Sequence, residues 1–480
     1  MADSTHHSRR AALTWAAAGV LATTAGLPAL VRAAASADRR AALPNILFIM
    51  ADDLGYADLS CYGRRDYETP AIDSLARDGL QLMQGYANSP VCSPTRVALI
   101  TGRYQYRLPV GLVEPIGFDP AVGLDPAEVT MPGHFRQIGY QTSLIGKWHL
   151  GPLPNFGPLK SGYDRFFGVY EGGTDYFTHQ LVINQQVMGS LYEGETPIVR
   201  DGYLTDLLAT RAVAEIDAAR QVGRPFFISL HFTAPHWPWQ GPGDKGVAGG
   251  ESMNWDGGNI AIYADMMRSL DANVGRVLAH LARAGLAQDT IVVFTSDNGG
   301  ERFSDGWPFI GGKTELLEGG LRVPLLVRWP GRVPAGQRSE QTMLSMDFLP
   351  TLLAATGRPA PALALDGENL LDQLTGRAPV RDRRLFWRYG ARDQKAVRDG
   401  DWKYLSISGR EFLFNLGEDQ RERADLSGRA PQRLAELSRA FAAWNETMLA
   451  YPVPPLSYDT APHLADRQVA PAARPPAPRQ

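Results

Sequence analysis

Four short apolar runs, residues 46–50, 142–145, 226–230 and 291–294, are rich in branched or aromatic side chains, and each predicts a buried strand. Between the runs the spacing turns helical. Tyr263, Met266, Leu270, Val274, Val277 and Leu281 recur at three and four residues, which puts one apolar stripe on a core. Strands alternating with helices predict an α/β domain with a large mixed, mostly parallel sheet flanked by helices. Polar residues cluster just past the ends of these runs: Asp52 and Asp53 after the first, Lys147 and His149 after the second, His231 and His236 after the third, Asp297 and Asn298 after the fourth. Ligands bind at the carboxyl edge of open α/β sheets, so residues spread over about 260 positions are expected to converge on one crevice.

The pattern changes near residue 385. Residues 385–389, 395–398, 402–406 and 412–415 alternate as short strands joined by turns such as Asp399 and Gly400, which predicts a small C-terminal antiparallel sheet. A helix follows, with Pro431 near its start and Leu434, Leu437, Phe441, Trp444 and Met448 on one face. From about Tyr451 the chain becomes Pro-rich and is expected to wrap the surface or stay disordered. The expected organisation is a leader at 1–37, a catalytic domain at 38–384, a small α+β subdomain at 385–450 and a Pro-rich tail at 451–480.

The leader reads as an export signal. Arg9 and Arg10 precede an Ala-rich apolar run over 11–31 and the small residues Ala35, Ser36 and Ala37. The twin arginines suggest the Tat route to a periplasmic or secreted location, with the membrane met only during export. An uncleaved anchor is the alternative, against which Pro28 and the many small residues weigh. A net charge of −3 gives no field that would gather nucleic acid, so an anionic substrate must be drawn by a local cluster of cations. The two cysteines, Cys61 and Cys92, leave a disulfide open as one reading.

Asp52, Asp53, Asp297 and Asn298 supply the oxygen ligands that suit a hard cation. Two carboxylates about 4 Å apart repel by roughly 4 kcal/mol at an effective dielectric of 20, so a positive ion is expected among them. A flexible cage of carboxylate and amide oxygens favours one Ca2+ over Mg2+. A lone pair of aspartates would instead be a solvated turn; the second pair at Asp297 is what raises the metal reading.

Around the second cysteine the chain runs Cys92, Ser93, Pro94, Thr95, Arg96, then Thr101, Gly102, Arg103. This segment resembles the CxPxR and TGR signature of the type I sulfatases, within the alkaline phosphatase superfamily. The resemblance implies that a formylglycine-generating system oxidises Cys92 to an aldehyde whose hydrate is both nucleophile and metal ligand. It also implies an alkaline-phosphatase-like fold. Pro94 suits the first turn of a helix whose free N–H groups favour an anion, and Arg96 falls one turn after Cys92 on the same face. The segment from Gly146 to Gly151, GKWHLG, matches the second signature of that family, which implies sulfate binding by Lys147 and a hydrogen bond from His149 to the formylglycine hydroxyl. By the same resemblance His236 and Lys313 contact the sulfate or the leaving oxygen; Lys313 is one of six lysines in the chain.

The mechanism so implied is covalent. One diol oxygen attacks sulfur, His236 or Lys313 protonates the departing alcohol, and His149 takes the proton of the second hydroxyl so that the hemiacetal collapses and sulfate leaves. The ester is an aryl or carbohydrate sulfate. The substrate-selecting loops, near 175–199 and 240–259, follow no readable pattern. His231 and Thr174 stay outside the expected site, and Trp237, Trp239 and Trp307 either line a cleft mouth or belong to the core. Two rivals remain: a phosphate or phosphonate monoester hydrolase of the same superfamily, and a non-catalytic binder of sulfated ligands should Cys92 stay a thiol.

Overall fold

The computed structural model describes residues 43–247, 249–250, 257–358 and 364–459. The export signal expected at 1–37 and the last part of the Pro-rich tail lie outside them. Ten strands form one mixed sheet in the spatial order Thr196–Ile198, Leu191–Glu193, Arg165–Val169, Gln141–Lys147, Phe226–His231, Asn45–Ala51, Thr290–Ser296, Leu325–Arg328, Leu80–Leu82, Gln337–Ser339. The five strands from Arg165–Val169 to Thr290–Ser296 are parallel, and antiparallel neighbours flank them on both sides. All four apolar runs read from the sequence lie in this parallel centre, buried throughout because helices cover both faces.

Register levels the strand ends. Met50 stands opposite both His231 and Thr295, and His231 stands opposite Gly146. The residues that follow each strand therefore start from one edge. Gly146 takes a φ of 109°, and a Cβ there would lie 1.8 Å from the carbonyl oxygen of His231. Only glycine fits where the chain bends toward Lys147.

The helix Ile260–Arg283 buries Met266, Leu270, Val274, Val277 and Leu281, the stripe expected from its spacing. Its N-cap, Asn259, accepts hydrogen bonds from the N–H groups of Ala261 and Ile262. Among the described residues no helix is long and apolar enough to cross a membrane. Cys61 and Cys92 are free thiols, so the disulfide reading falls.

The small C-terminal sheet is an antiparallel meander of Arg384–Tyr389, Gln394–Asp399, Trp402–Ile407 and Arg410–Asn415. Leu437 and Phe441 of the helix Pro431–Asn445 pack on one face. The other face sets Trp387 and Tyr389 against Tyr86 and Tyr106, and the Trp387 indole N–H donates to the Ala87 carbonyl at 2.9 Å. Lys403 is buried between Glu318 at 3.0 Å and Glu422 at 2.8 Å. Of the two courses expected for the tail, its start takes the ordered one and runs along the surface. Leu456–Ser457 pairs in parallel with Val113–Glu114, and buried Glu114 accepts from Gly390 N–H, Tyr451 O–H and Ser457 O–H. A buried carboxylate with three donors holds the segment down despite its prolines.

Gln394 links the small sheet to the segment that carries Lys313. Its side-chain oxygen accepts from Leu316 N–H at 3.0 Å, and its amide donates to the Thr314 carbonyl at 2.9 Å. Gln394→Ala leaves both partners without it in the interior and is expected to cost about 1–3 kcal/mol. Chemical denaturation measures that loss, and limited proteolysis should show faster cleavage near residue 314.

Candidate active site

Cys92 is the first residue of the helix Cys92–Thr101, every residue of which is buried. Pro94 is tolerated in the first turn because its missing N–H has no intrahelical partner there. No side chain caps the helix start, so its first N–H groups are available to an anion. The Cys92 thiol donates to Asp53 Oδ1 over 3.8 Å, and burial pushes its pKa well above the ordinary thiol value. As a thiol it stays protonated at neutral pH and is a poor nucleophile.

Three carboxylates and three cations meet beside it. Arg96 Nε and Nη2 both donate to Asp297 Oδ2, at 3.0 and 2.8 Å. Lys147 Nζ lies 2.6 Å from Asp52 Oδ2, and Lys313 Nζ lies 2.7 Å from Asp53 Oδ2. The acids thus coexist because each has a side-chain cation, which corrects the expectation that a metal ion alone would permit the cluster. Burial and the charge of Asp297 push the Asp52 carboxyl well up. Burial also acts on Asp297, but Arg96 and Lys147 outweigh it and hold that carboxyl low. Burial opposes the charge of Lys313, and Asp53 with Glu301 overcomes it, so the ammonium stays protonated.

The histidines are neutral. Burial lowers both, helped by Lys147 at His149 and by Lys313 at His236. His149 Nε2 donates to the Ile116 carbonyl at 3.0 Å, so its lone pair is on Nδ1, a buried atom with no hydrogen bond. His236 Nδ1 donates to the Trp237 carbonyl at 2.5 Å, which leaves Nε2 as an acceptor 3.4 Å from Lys313 Nζ. Asp53 and His149 both adopt a left-handed backbone, with φ of 61° and 59°. Such conformations in non-glycine residues are costly and concentrate at functional sites.

One set of oxygens is left over. Asp52 Oδ1 and Asn298 Oδ1 are buried and accept no hydrogen bond, while Asn298 Nδ2 donates to Asp53 Oδ1 at 2.7 Å. Asp52, Asp53, Cys92 and His236 each offer a ligand atom, all within 4.8 Å of one another. Unused carboxylate and amide oxygens beside this group fit a hard cation. His236 belongs to that group, although the sequence suggested for it a contact with the sulfate or the leaving oxygen and no metal.

Cys92, His149, His236 and Lys313 line a cavity of about 410 Å3. Asp52, Asp53, Arg96, Lys147, Asp297 and Asn298 lie beneath it, all buried. Three contributors were missed from sequence: Glu301, 3.7 Å from Lys313 Nζ, and Glu171 and Tyr458 in the cavity wall. Glu301 follows Asn298 by three residues and was open to notice; Tyr458 sits in a Pro-rich stretch that carries no such signal. His231 is more than a packing neighbour, since its Nδ1 lies 3.3 Å from Arg96 Nη1. Thr174 is buried. Trp237 lines the cavity, Trp239 packs on Phe303 in the core, and Trp307 is exposed beneath Arg421.

The chain matches known proteins over most of its length. The Sulfatase family profile matches residues 44–358, and the profile for the C-terminal part of N-sulphoglucosamine sulphohydrolase matches residues 311–429. The chain is 32% identical to N-acetylgalactosamine-6-sulfatase of Canis lupus familiaris, over 75% of this chain and 71% of that protein. It is 33% identical to arylsulfatase A of Homo sapiens, over 75% of this chain and 74% of that protein. Among solved structures it resembles Ps i-CgsB in complex with k-i-k-neocarrahexaose, with a TM-score of 0.78 and 29% identity, covering 87% of this chain and 96% of that one. A profile match over most of the chain and relatives above 30% identity over three quarters of it lead to one conclusion: the chain belongs to the sulfatase family and is an arylsulfatase-like hydrolase of sulfate esters.

Proposed function

We propose that this chain is an exported, calcium-dependent sulfatase whose nucleophile is a formylglycine hydrate made from Cys92 by a formylglycine-generating system. The observation that carries the proposal is the state of Cys92: a thiol kept protonated by burial, at a helix start, beside Asp53 and in reach of a metal-binding group. Oxidation to the aldehyde would replace sulfur with the oxygen donors that a hard ion prefers. The hydrate supplies two geminal hydroxyls, one to attack sulfur and one whose deprotonation expels sulfate. Asp52, Asp53, Asp297, Asn298 and the modified residue 92 would hold calcium, which lowers the pKa of a hydroxyl bound to it.

The side chains divide the remaining work. Arg96, Lys147 and Lys313 just neutralise Asp297, Asp52 and Asp53, so the pocket has no surplus positive charge for an anionic ester. An ester sulfate and an alkoxide together add two negative charges, which a divalent ion balances. Lys147 donates to a sulfate oxygen, and His236 Nε2, an acceptor in its neutral state, would donate to another only once it carries a proton. Lys313, held protonated by Asp53 and Glu301, donates to the leaving alcohol oxygen. His149, with its Nδ1 lone pair free, accepts the proton of the second hydroxyl. The names of the relatives cover both sugar and aryl esters, and both classes stand as candidate substrates.

Intact mass of the tryptic fragment that holds Cys92 tests the conversion: it should lie about 18 Da below the thiol form. Cys92→Ala should keep the fold, by circular dichroism and melting temperature, and lose nitrophenyl sulfate turnover by at least about 10^3-fold, the scale expected for a missing nucleophile. Asp297→Ala should weaken calcium binding, read by calorimetry after chelation, and lower activity in parallel. Preferential hydrolysis of nitrophenyl phosphate would instead favour the phosphomonoester class.

A further inference from the structure

Above its charged floor the cavity changes character. Ile116, Phe118, Leu181, Ile183, Met188 and Trp237 give the wall its apolar character, with Phe118 and Met188 at 42% and 37% exposure on the rim. The volume of about 410 Å3 is in the range of roughly 300–1,000 Å3 usual for small-molecule sites. Among the described residues that line it, Lys313 is the only lysine or arginine, and that ammonium already serves Asp53. A multiply charged glycan needs further cations along its path, because each buried anion must find a partner.

One wall residue is charged the other way. Glu171 lines the same cavity, and no cation pairs with it among the described residues. Its carboxyl packs against the backbone of residue 189: a Cβ on Gly189 would lie 2.5 Å from Cδ and 2.7 Å from Oε2. The next two residues rest on the imidazoles of the site, since a Cβ on Gly172 would come within 2.6 Å of His149 Cε1 and one on Gly173 within 3.1 Å of His236 Cε1. Glu171 is thereby fixed relative to the reacting groups, and burial holds its carboxyl up at about 7, so a good share of it is ionised at neutral pH.

We infer that the cavity takes the sulfate ester of a ring-shaped alcohol that carries no anionic group besides that one sulfate, and that Glu171 selects it by accepting a hydrogen bond from a distal donor and repelling a second anion. This rests on the sulfatase reading above. Apolar walls enclose the ring, the floor takes the sulfate, and the carboxylate reads the ring's far side. A donor that pairs with Glu171 gains a charge-assisted bond, whereas a carboxylate or second sulfate meets a like charge in a poorly solvated wall.

The test uses matured protein and three phenyl sulfates that carry a meta hydroxymethyl, aminomethyl or carboxylate group. Wild type should prefer the hydroxymethyl and aminomethyl esters, and should turn over a disulfated disaccharide roughly tenfold less efficiently than either, in kcat/KM. In Glu171→Gln the preference for hydroxymethyl over carboxylate should fall about tenfold, a ratio in which the intrinsic reactivity of each phenol cancels. Should that variant fold poorly, the wild-type order of aminomethyl against carboxylate decides. An unchanged ratio, no wild-type discrimination, or preference for the disulfated sugar overturns this inference and leaves the sulfatase reading intact. Protein with converted residue 92 that hydrolyses none of the esters contradicts the sulfatase reading, and this inference with it.

Discussion

Everything at the active edge depends on three buried ion pairs: Arg96 with Asp297, Lys147 with Asp52, and Lys313 with Asp53. Removing six charges from water is expensive, and such pairs rarely stabilise a fold more than apolar packing would. Their retention is a functional signature. Each pair joins a different part of the chain, so the cluster exists only when the parallel strands are in register and the segment that carries Lys313, held by Gln394 of the small C-terminal sheet, is seated. Breaking one pair would leave an uncompensated charge in the interior, and the same packed surroundings sustain the left-handed backbone of Asp53, His149 and Thr314.

Neutrality within the cluster also sets its chemistry. Asp52 Oδ1, 3.8 Å from Arg96 Nη2, and Asn298 Oδ1 accept no hydrogen bond, so the site has oxygens to spare for a cation but no surplus positive charge for an anion. The neutral histidines fit this state: each gives its one N–H to a backbone carbonyl, leaving the other nitrogen as an acceptor. The apolar wall above adds a dry environment in which a bound sulfate interacts strongly with the fixed charges below.

Much of this was legible in the sequence, and for identifiable reasons. Buried parallel strands write themselves as runs of branched residues, so residues 46–50 and 291–294 announced the sheet centre, and the residues just after them announced the edge. The three-four spacing over 263–281 did the same for the long helix. Pairing was not legible, because a sequence does not say which carboxylate meets which cation; the acids were therefore read as needing a metal when Arg96, Lys147 and Lys313 already neutralise them. Nor was the course of residues 451–459. Their prolines left open whether they wrap the surface or stay disordered, and what decides it is a single distant carboxylate, Glu114, that accepts from Tyr451 and Ser457 and brings Tyr458 into the cavity wall. Cavity-wall residues such as Glu171 and Met188 follow no periodicity, since the loops that carry them answer to the ligand and not to a core.

The central claim is that the spare oxygens beside the three ion pairs hold one calcium ion. Anomalous X-ray scattering from crystals of the purified protein tests it most directly. A single calcium peak is expected in contact with Asp52 Oδ1 and Asn298 Oδ1 and adjacent to residue 92. Density without an ion there in fully active protein, or with an ion bound elsewhere, would contradict it.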